Sequence, residues 1–208
     1  TRKESSAASD VYKRQSLDTN YSSAPYQLPG SDVVTNVGGG CGVCNLREAT
    51  KQSLNTSFLR LQADLKNGTQ DTADMAHALG VAKSLPGIEK TLTEKGKQPF
   101  EGIVLGQYQS RPLDMATAMS TLANQGVWHN PHFVQRVENA AGEVLYEHPE
   151  DEGERRVSSN VANNVLEAME PVAAWSNGAL AGGRASASKT GTTPVSYTHL
   201  TLPTTPYV

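Results

Sequence analysis

The run Arg184-Ala-Ser-Ala-Ser-Lys-Thr-Gly-Thr-Thr193 constrains the fold more than any other stretch of the chain. Its small and β-branched residues favour an extended strand over a helix. On a strand, Gly191 leaves room for a second backbone to lie close alongside. Lys189 sets a cation beside that gap. Thr190 and Thr192, two residues apart, turn their hydroxyls to one face. Such a strand edge suits an extended peptide ending in a carboxylate. Lys-Thr-Gly also occurs in ordinary turns between strands, so its meaning depends on what lies upstream.

The two ends of the chain read better as DNA than as peptide. GTC TCT TAT ACA CAT CT translates as Val-Ser-Tyr-Thr-His-Leu, the residues at Val195-Ser-Tyr-Thr-His-Leu200. Its reverse complement translates as Asp10-Val-Tyr-Lys-Arg-Gln15. Both match the transposase-end adapter of sequencing libraries, so 1–15 and 195–208 are expected to be adapter-derived and are set apart from fold reasoning. The remainder, 16–194, is expected to be an internal piece of a longer gene. It has the length of one domain or most of one, enough to bury a sizeable core. A net charge of -3, without a basic run, gives no footprint for nucleic acid. No apolar run reaches the length of a membrane span, and no signal peptide is visible.

From residue 16 to 40 the chain is polar and rich in Ser, Pro, Gly and Tyr, with turn signals at Tyr26-Gln-Leu-Pro-Gly30 and Gly38-Gly-Gly40. Cys41-Gly-Val-Cys44 follows. A redox pair would need a βαβ setting that does not precede it, and a zinc site would need His77 or the distant His129 and His132. In an extracytoplasmic domain the pair would instead form a local disulfide pinning the loop before the next helix.

That helix starts at Asn45, with Glu48 placed as in a capping box. Leu46, Ala49, Ser53 and Leu54 follow helical spacing, as do Phe58, Leu61 and Leu65. Between them lies Ser53-Leu-Asn55, where a break between two helices would bring both polar side chains to one cleft. The spacing further predicts an amphipathic helix over 71–83. A second helix is capped by Ser110, opened by Pro112, and carries a buried stripe of Met115, Ala118, Met119, Leu122 and Ala123. A β-hairpin is expected across Asn139-Ala-Ala-Gly142, then a solvated acidic loop over 147–154, then a helix over 158–170 with Val161, Val165, Leu166 and Met169 inward.

Taken in order, these segments resemble the transpeptidase domain of a penicillin-binding protein. Lys-Thr-Gly is one signature of that group, and Ser53-Leu-Asn55 and Arg111-Pro-Leu-Asp-Met-Ala116 precede it in the expected sequence. The similarity covers nearly all of 16–194 and is closest in kind to the bifunctional class A type, of actinobacterial character. The resemblance implies an α/β fold, an antiparallel sheet flanked by helices, incomplete at both ends. It implies serine acyl transfer from D-Ala-D-Ala stem peptides of peptidoglycan, covalent binding of β-lactams and no cofactor. It also implies a parent at the extracytoplasmic face of the bacterial membrane, anchored there with a glycosyltransferase domain upstream.

Residue by residue, Ser53 matches the serine that helps pass a proton to the leaving group, and Asn55 the side chain that holds the substrate amide. Lys189 matches the lysine that sets the field of the pocket. Thr190 and Thr192 match the hydroxyls binding the terminal carboxylate, with Gly191 between them and the Thr192 N–H as an oxyanion donor. The family's nucleophile lies in an S-x-x-K ahead of S-x-N, and residues 16–52 contain none. The literal match Ser186-Ala-Ser-Lys189 fails, because on a strand positions i and i+3 face opposite sides. The polypeptide as written is therefore expected to be inert. A β-lactamase or D,D-carboxypeptidase, a β-lactam sensor and a non-catalytic cell-wall scaffold are the competing readings.

Overall fold

The computed structural model describes residues 16–191. Of the segments singled out above, 1–15 and 195–208 lie outside the described residues, as does Thr192.

The first strands are short and pair locally. β1 (Asn20–Ser22) runs antiparallel to β4 (Val43–Asn45), and β2 (Tyr26–Gln27) to β3 (Val33–Val34). Cys44 on β4 is joined to Cys41 by a disulfide, which closes the turn after the three glycines. β4 leads straight into α1 (Leu46–Lys51), where the Asn45 side chain accepts from the Glu48 N–H at 3.0 Å, so the expected cap is present.

α2 (Asn55–Ala63) and α3 (Thr69–Leu79) follow. α3 is shorter than its apolar pattern predicts. Gly80 takes φ 124 and ends the helix, leaving Val81 and Ala82 beyond it. Val81 is buried nonetheless, in a cluster with Ala73, Leu92 and Ile103, the last on a 3-10 turn (Glu101–Leu105).

α4 (Pro112–Ala123) corrects two expectations. Its N-cap is Arg111, not Ser110: the Arg111 N–H donates to Asp114 Oδ2 at 3.2 Å and the Arg111 guanidinium to Asp114 Oδ1 at 2.7 Å. The buried face carries Asp114, Thr117, Ala118, Thr121 and Leu122, while Met115 (46%), Met119 (39%) and Ala123 are exposed. The rotation is possible because the inward threonines satisfy themselves. Thr117 donates to the Leu113 carbonyl at 2.8 Å, and Thr121 to the carbonyls of Leu79 and Thr117, each at 2.9 Å.

After β5 (Val127–Trp128), the hairpin of β6 (Arg136–Glu138) and β7 (Val144–Glu147) forms as expected. Asn139 makes its turn by accepting from the N–H groups of Ala141 and Glu143. Both strands are exposed throughout. β8 (Glu154–Arg155) returns to pair with β5.

α5 (Ser159–Trp175), capped by Ser158, runs past the predicted end at residue 170 and contains Pro171. Val172 (0%) and Ala173 (5%) are buried just beyond the proline. Burying those two side chains accounts for a helix that carries on through one missing backbone bond. α5 packs against α1 and α4, and Arg47 on α1 reaches Glu167 on α5. The class is mixed α/β with antiparallel pairing throughout. Among the described residues the strands join only two by two, and no larger sheet is present.

Candidate active site

The Ser53 turn is a helix C-terminus built to a strict pattern. Gln52 caps α1, the Ser53 N–H donates to the Thr50 carbonyl at 3.1 Å, and the Leu54 N–H reaches back to the Ala49 carbonyl at 3.0 Å. This pair of bonds defines a Schellman motif, and the residue after the cap must adopt a left-handed conformation, usually as glycine. Here it is Ser53, at φ 55. A residue with a Cβ pays about 1–2 kcal/mol in that region. What serine gains over glycine is a hydroxyl, and the turn holds it outward on an exposed residue.

Leu54 anchors the turn from below. It is 1% exposed and, as the residue after the left-handed position, lies where the motif brings it against Ala49, which is fully buried. Asn55 opens α2, and its side-chain amide donates to the Thr35 carbonyl at 3.2 Å. The break expected from the spacing is present, and it separates an exposed Ser53 from a half-buried Asn55 across one buried leucine.

Lys189 comes to this turn from 136 residues away in sequence. Its Nζ donates to Ser53 Oγ at 2.6 Å and to the Thr190 carbonyl at 2.9 Å. The Lys189 side chain still meets solvent, and partial burial of the ammonium pushes its pKa below the ordinary lysine value. With the ammonium donating to its oxygen, the Ser53 hydroxyl can direct its own proton elsewhere. Thr190 and Gly191 follow, both exposed, and a Cβ built on Gly191 would meet no atom within 4 Å.

The predicted strand at Lys189 is not observed. Residues 184–191 run without regular secondary structure, tied by the Ser188 N–H to the Met169 carbonyl on α5 at 3.3 Å. A strand exists only where a neighbouring backbone takes its N–H and C=O groups, and among the described residues no backbone pairs with this segment as a strand. Ser186 is not on a helical turn with Lys189, and the lysine's hydroxyl partner is Ser53.

One contributor was not legible in the sequence. Asn36, in the loop after β3, bonds the start of α2 through Thr56, and no local pattern marks a contact between a coil residue and a helix 20 positions away.

Comparison with known proteins shows the family of this chain. Residues 12–200 match the family model described as the penicillin binding protein transpeptidase domain. Penicillin-binding protein 1A of Mycolicibacterium smegmatis is 54% identical over 174 residues, which is 82% of this chain and 22% of that protein. The chain thus spans about a fifth of the length of the curated relatives it matches. The solved structure of the penicillin-binding protein PonA1 from Mycobacterium tuberculosis superposes with a TM-score of 0.83 at 48% identity, covering 92% of this chain and 50% of that one. PonA1 in complex with penicillin V gives 0.82 at 48% identity, covering 94% and 52%. A chain whose Ser-Leu-Asn turn and Lys-Thr-Gly segment meet in space, and which matches that model over most of its length, belongs to the penicillin-binding protein transpeptidase family.

Proposed function

We propose that this chain is the part of a class A penicillin-binding transpeptidase that carries the S-x-N and K-T-G sides of its site. The parent protein cross-links peptidoglycan by serine acyl transfer from D-Ala-D-Ala stem peptides, and β-lactams trap it as an ester. The single observation that carries this reading is the 2.6 Å contact between Lys189 Nζ and Ser53 Oγ. In the proposed mechanism Lys189 supplies a fixed positive charge where the substrate carboxylate docks, and Ser53 relays the nucleophile's proton to the departing amine. Asn55 holds the substrate amide. Thr190 and Thr192 bind the terminal carboxylate, and Gly191 lets the substrate backbone approach. Fixed charges and donors of this kind act on the transition state without reorganising.

The nucleophile belongs to an S-x-x-K segment of the parent outside this polypeptide, and the parent works at the outer face of the cell membrane, with an anchor and a glycosyltransferase domain upstream. Among the described residues no helix is long and apolar enough to cross a membrane. Two experiments test the proposal together. Fluorescent penicillin is expected to label the intact gene product but no residue of the 208-residue polypeptide. A labelled serine within the polypeptide, or an intact product that never labels, overturns it.

The lowered pKa of Lys189 gives a pH prediction. Partial burial disfavours the ammonium, so the charge is lost at a lower pH than for a free lysine. Because the charged form is the working one in this mechanism, acylation by penicillin falls as pH rises through that depressed value. The expected result is an alkaline limb in the rate below the usual lysine range, absent in Lys189→Arg, which stays protonated.

A further inference from the structure

α2 begins without a cap of its own. Its N-cap position is Leu54, whose side chain has no acceptor, so the first-turn N–H groups of the helix have no local partner. Leu54 is spent as the buried peg of the Ser53 turn and cannot do both tasks.

A loop residue supplies what is missing. The Asn36 side-chain oxygen accepts from the Thr56 N–H at 3.0 Å, the bond an N-cap residue would make from within the helix. Its amide nitrogen donates to Thr56 Oγ1 at 3.0 Å and to the Ser23 carbonyl at 2.8 Å. Thr56 is fully buried (0%), so no water can replace these partners. Next to it, the Thr35 carbonyl accepts from the Asn55 side chain. One dipeptide, Thr35-Asn36, thus grips both the first helical side chain of α2 and its second backbone amide.

We propose that Asn36 is a positioning residue of the site: it caps α2 from outside the helix and thereby fixes Asn55 and the Ser53 turn in their working geometry. The role rests on the functional reading above, but its structural half does not. If the cap is lost, the first turn of α2 frays, Asn55 leaves the Thr35 carbonyl, and the left-handed Ser53 loses the support that holds its hydroxyl toward Lys189.

Two substitutions separate capping from simple tethering of the loop. Asn36→Ala removes every contact. Asn36→Asp keeps the acceptor for the Thr56 N–H, with a charge that suits a helix N-terminus, but loses both donated bonds. Amide hydrogen exchange on the 208-residue chain is read at Thr56. Exchange in Asn36→Ala is expected to be faster by roughly fivefold to tenfold, the scale of a lost cap, and near the parent rate in Asn36→Asp. In the intact transpeptidase, the acylation rate constant at saturating penicillin is expected to fall on the order of tenfold in Asn36→Ala, through misplacement of the site, and to recover in Asn36→Asp. Unchanged acylation in Asn36→Ala, or an Asn36→Asp as slow as the alanine variant, overturns the proposal. If the unsubstituted protein takes no penicillin at all, the functional reading fails while the Thr56 exchange still decides whether Asn36 is the cap.

Discussion

Replacing Lys189 by alanine in the intact transpeptidase is expected to lower the rate of acylation by penicillin by roughly a hundredfold to a thousandfold, the range seen when one preorganised charge-stabilising group is removed. Lys189 is the only described cation within hydrogen-bonding reach of Ser53, and its second bond, to the Thr190 carbonyl, keeps Nζ from swinging into solvent. Alanine removes both bonds and the charge. Lys189→Arg keeps the charge but spreads it over a planar fork that does not fit the same two acceptors, so it should rescue only in part. The measurement is the second-order rate constant for fluorescent penicillin, taken beside a thermal melt. Because Lys189 is at the surface, little change in unfolding temperature is expected. A Lys189→Ala protein that acylates at the unsubstituted rate would remove this lysine from the mechanism.

The second large effect is on stability. Leu54→Ala is expected to cost about 2–5 kcal/mol, because Leu54 is 1% exposed and its loss leaves a cavity between two helices whose ends it joins. For a domain of this size that lowers the unfolding midpoint by roughly 4–20 °C. Leu54→Met, which conserves volume, should lose far less. In the intact transpeptidase, the alanine variant should also label with penicillin more slowly than its folded fraction explains, since the leucine holds the Schellman turn that presents Ser53. Equal melting of Leu54→Ala and the unsubstituted protein would mean that the turn is held by its backbone bonds alone.

How far the site could be read from the chain depends on whether the information was local. The Asn45 cap and the break at Ser53-Leu-Asn55 were legible because capping and helix termination are set by neighbours a few residues apart. The pairing of Ser53 with Lys189 could be expected only from the order of the motifs, since nothing within either segment points to the other. Apolar spacing misled at α4. Met115 and Met119 fit a helical stripe, yet Thr117 and Thr121 face inward, because a threonine bonded to its own helix is a small hydrophobe to its neighbours. The helix expected over 158–170 instead runs on through Pro171: a proline disfavours a helix interior, and burial of Val172 carries it on. The Lys189 strand was inferred from residue type, whereas a strand is a relation between two backbones.

The separation between Ser53 and Lys189 also sets a schedule for biosynthesis. The two halves of the contact are 136 positions apart, so at ordinary elongation rates roughly 7–27 seconds pass between their synthesis on the ribosome. Through that interval α1, α2 and the Ser53 turn exist without α5, the helix against which α1 packs and from which the Lys189 segment departs. The nascent chain therefore carries an open face and no site. Lys189 and the residues after it are made last, so a ribosome stalled before residue 189 would leave a product that lacks the K-T-G side of the proposed site.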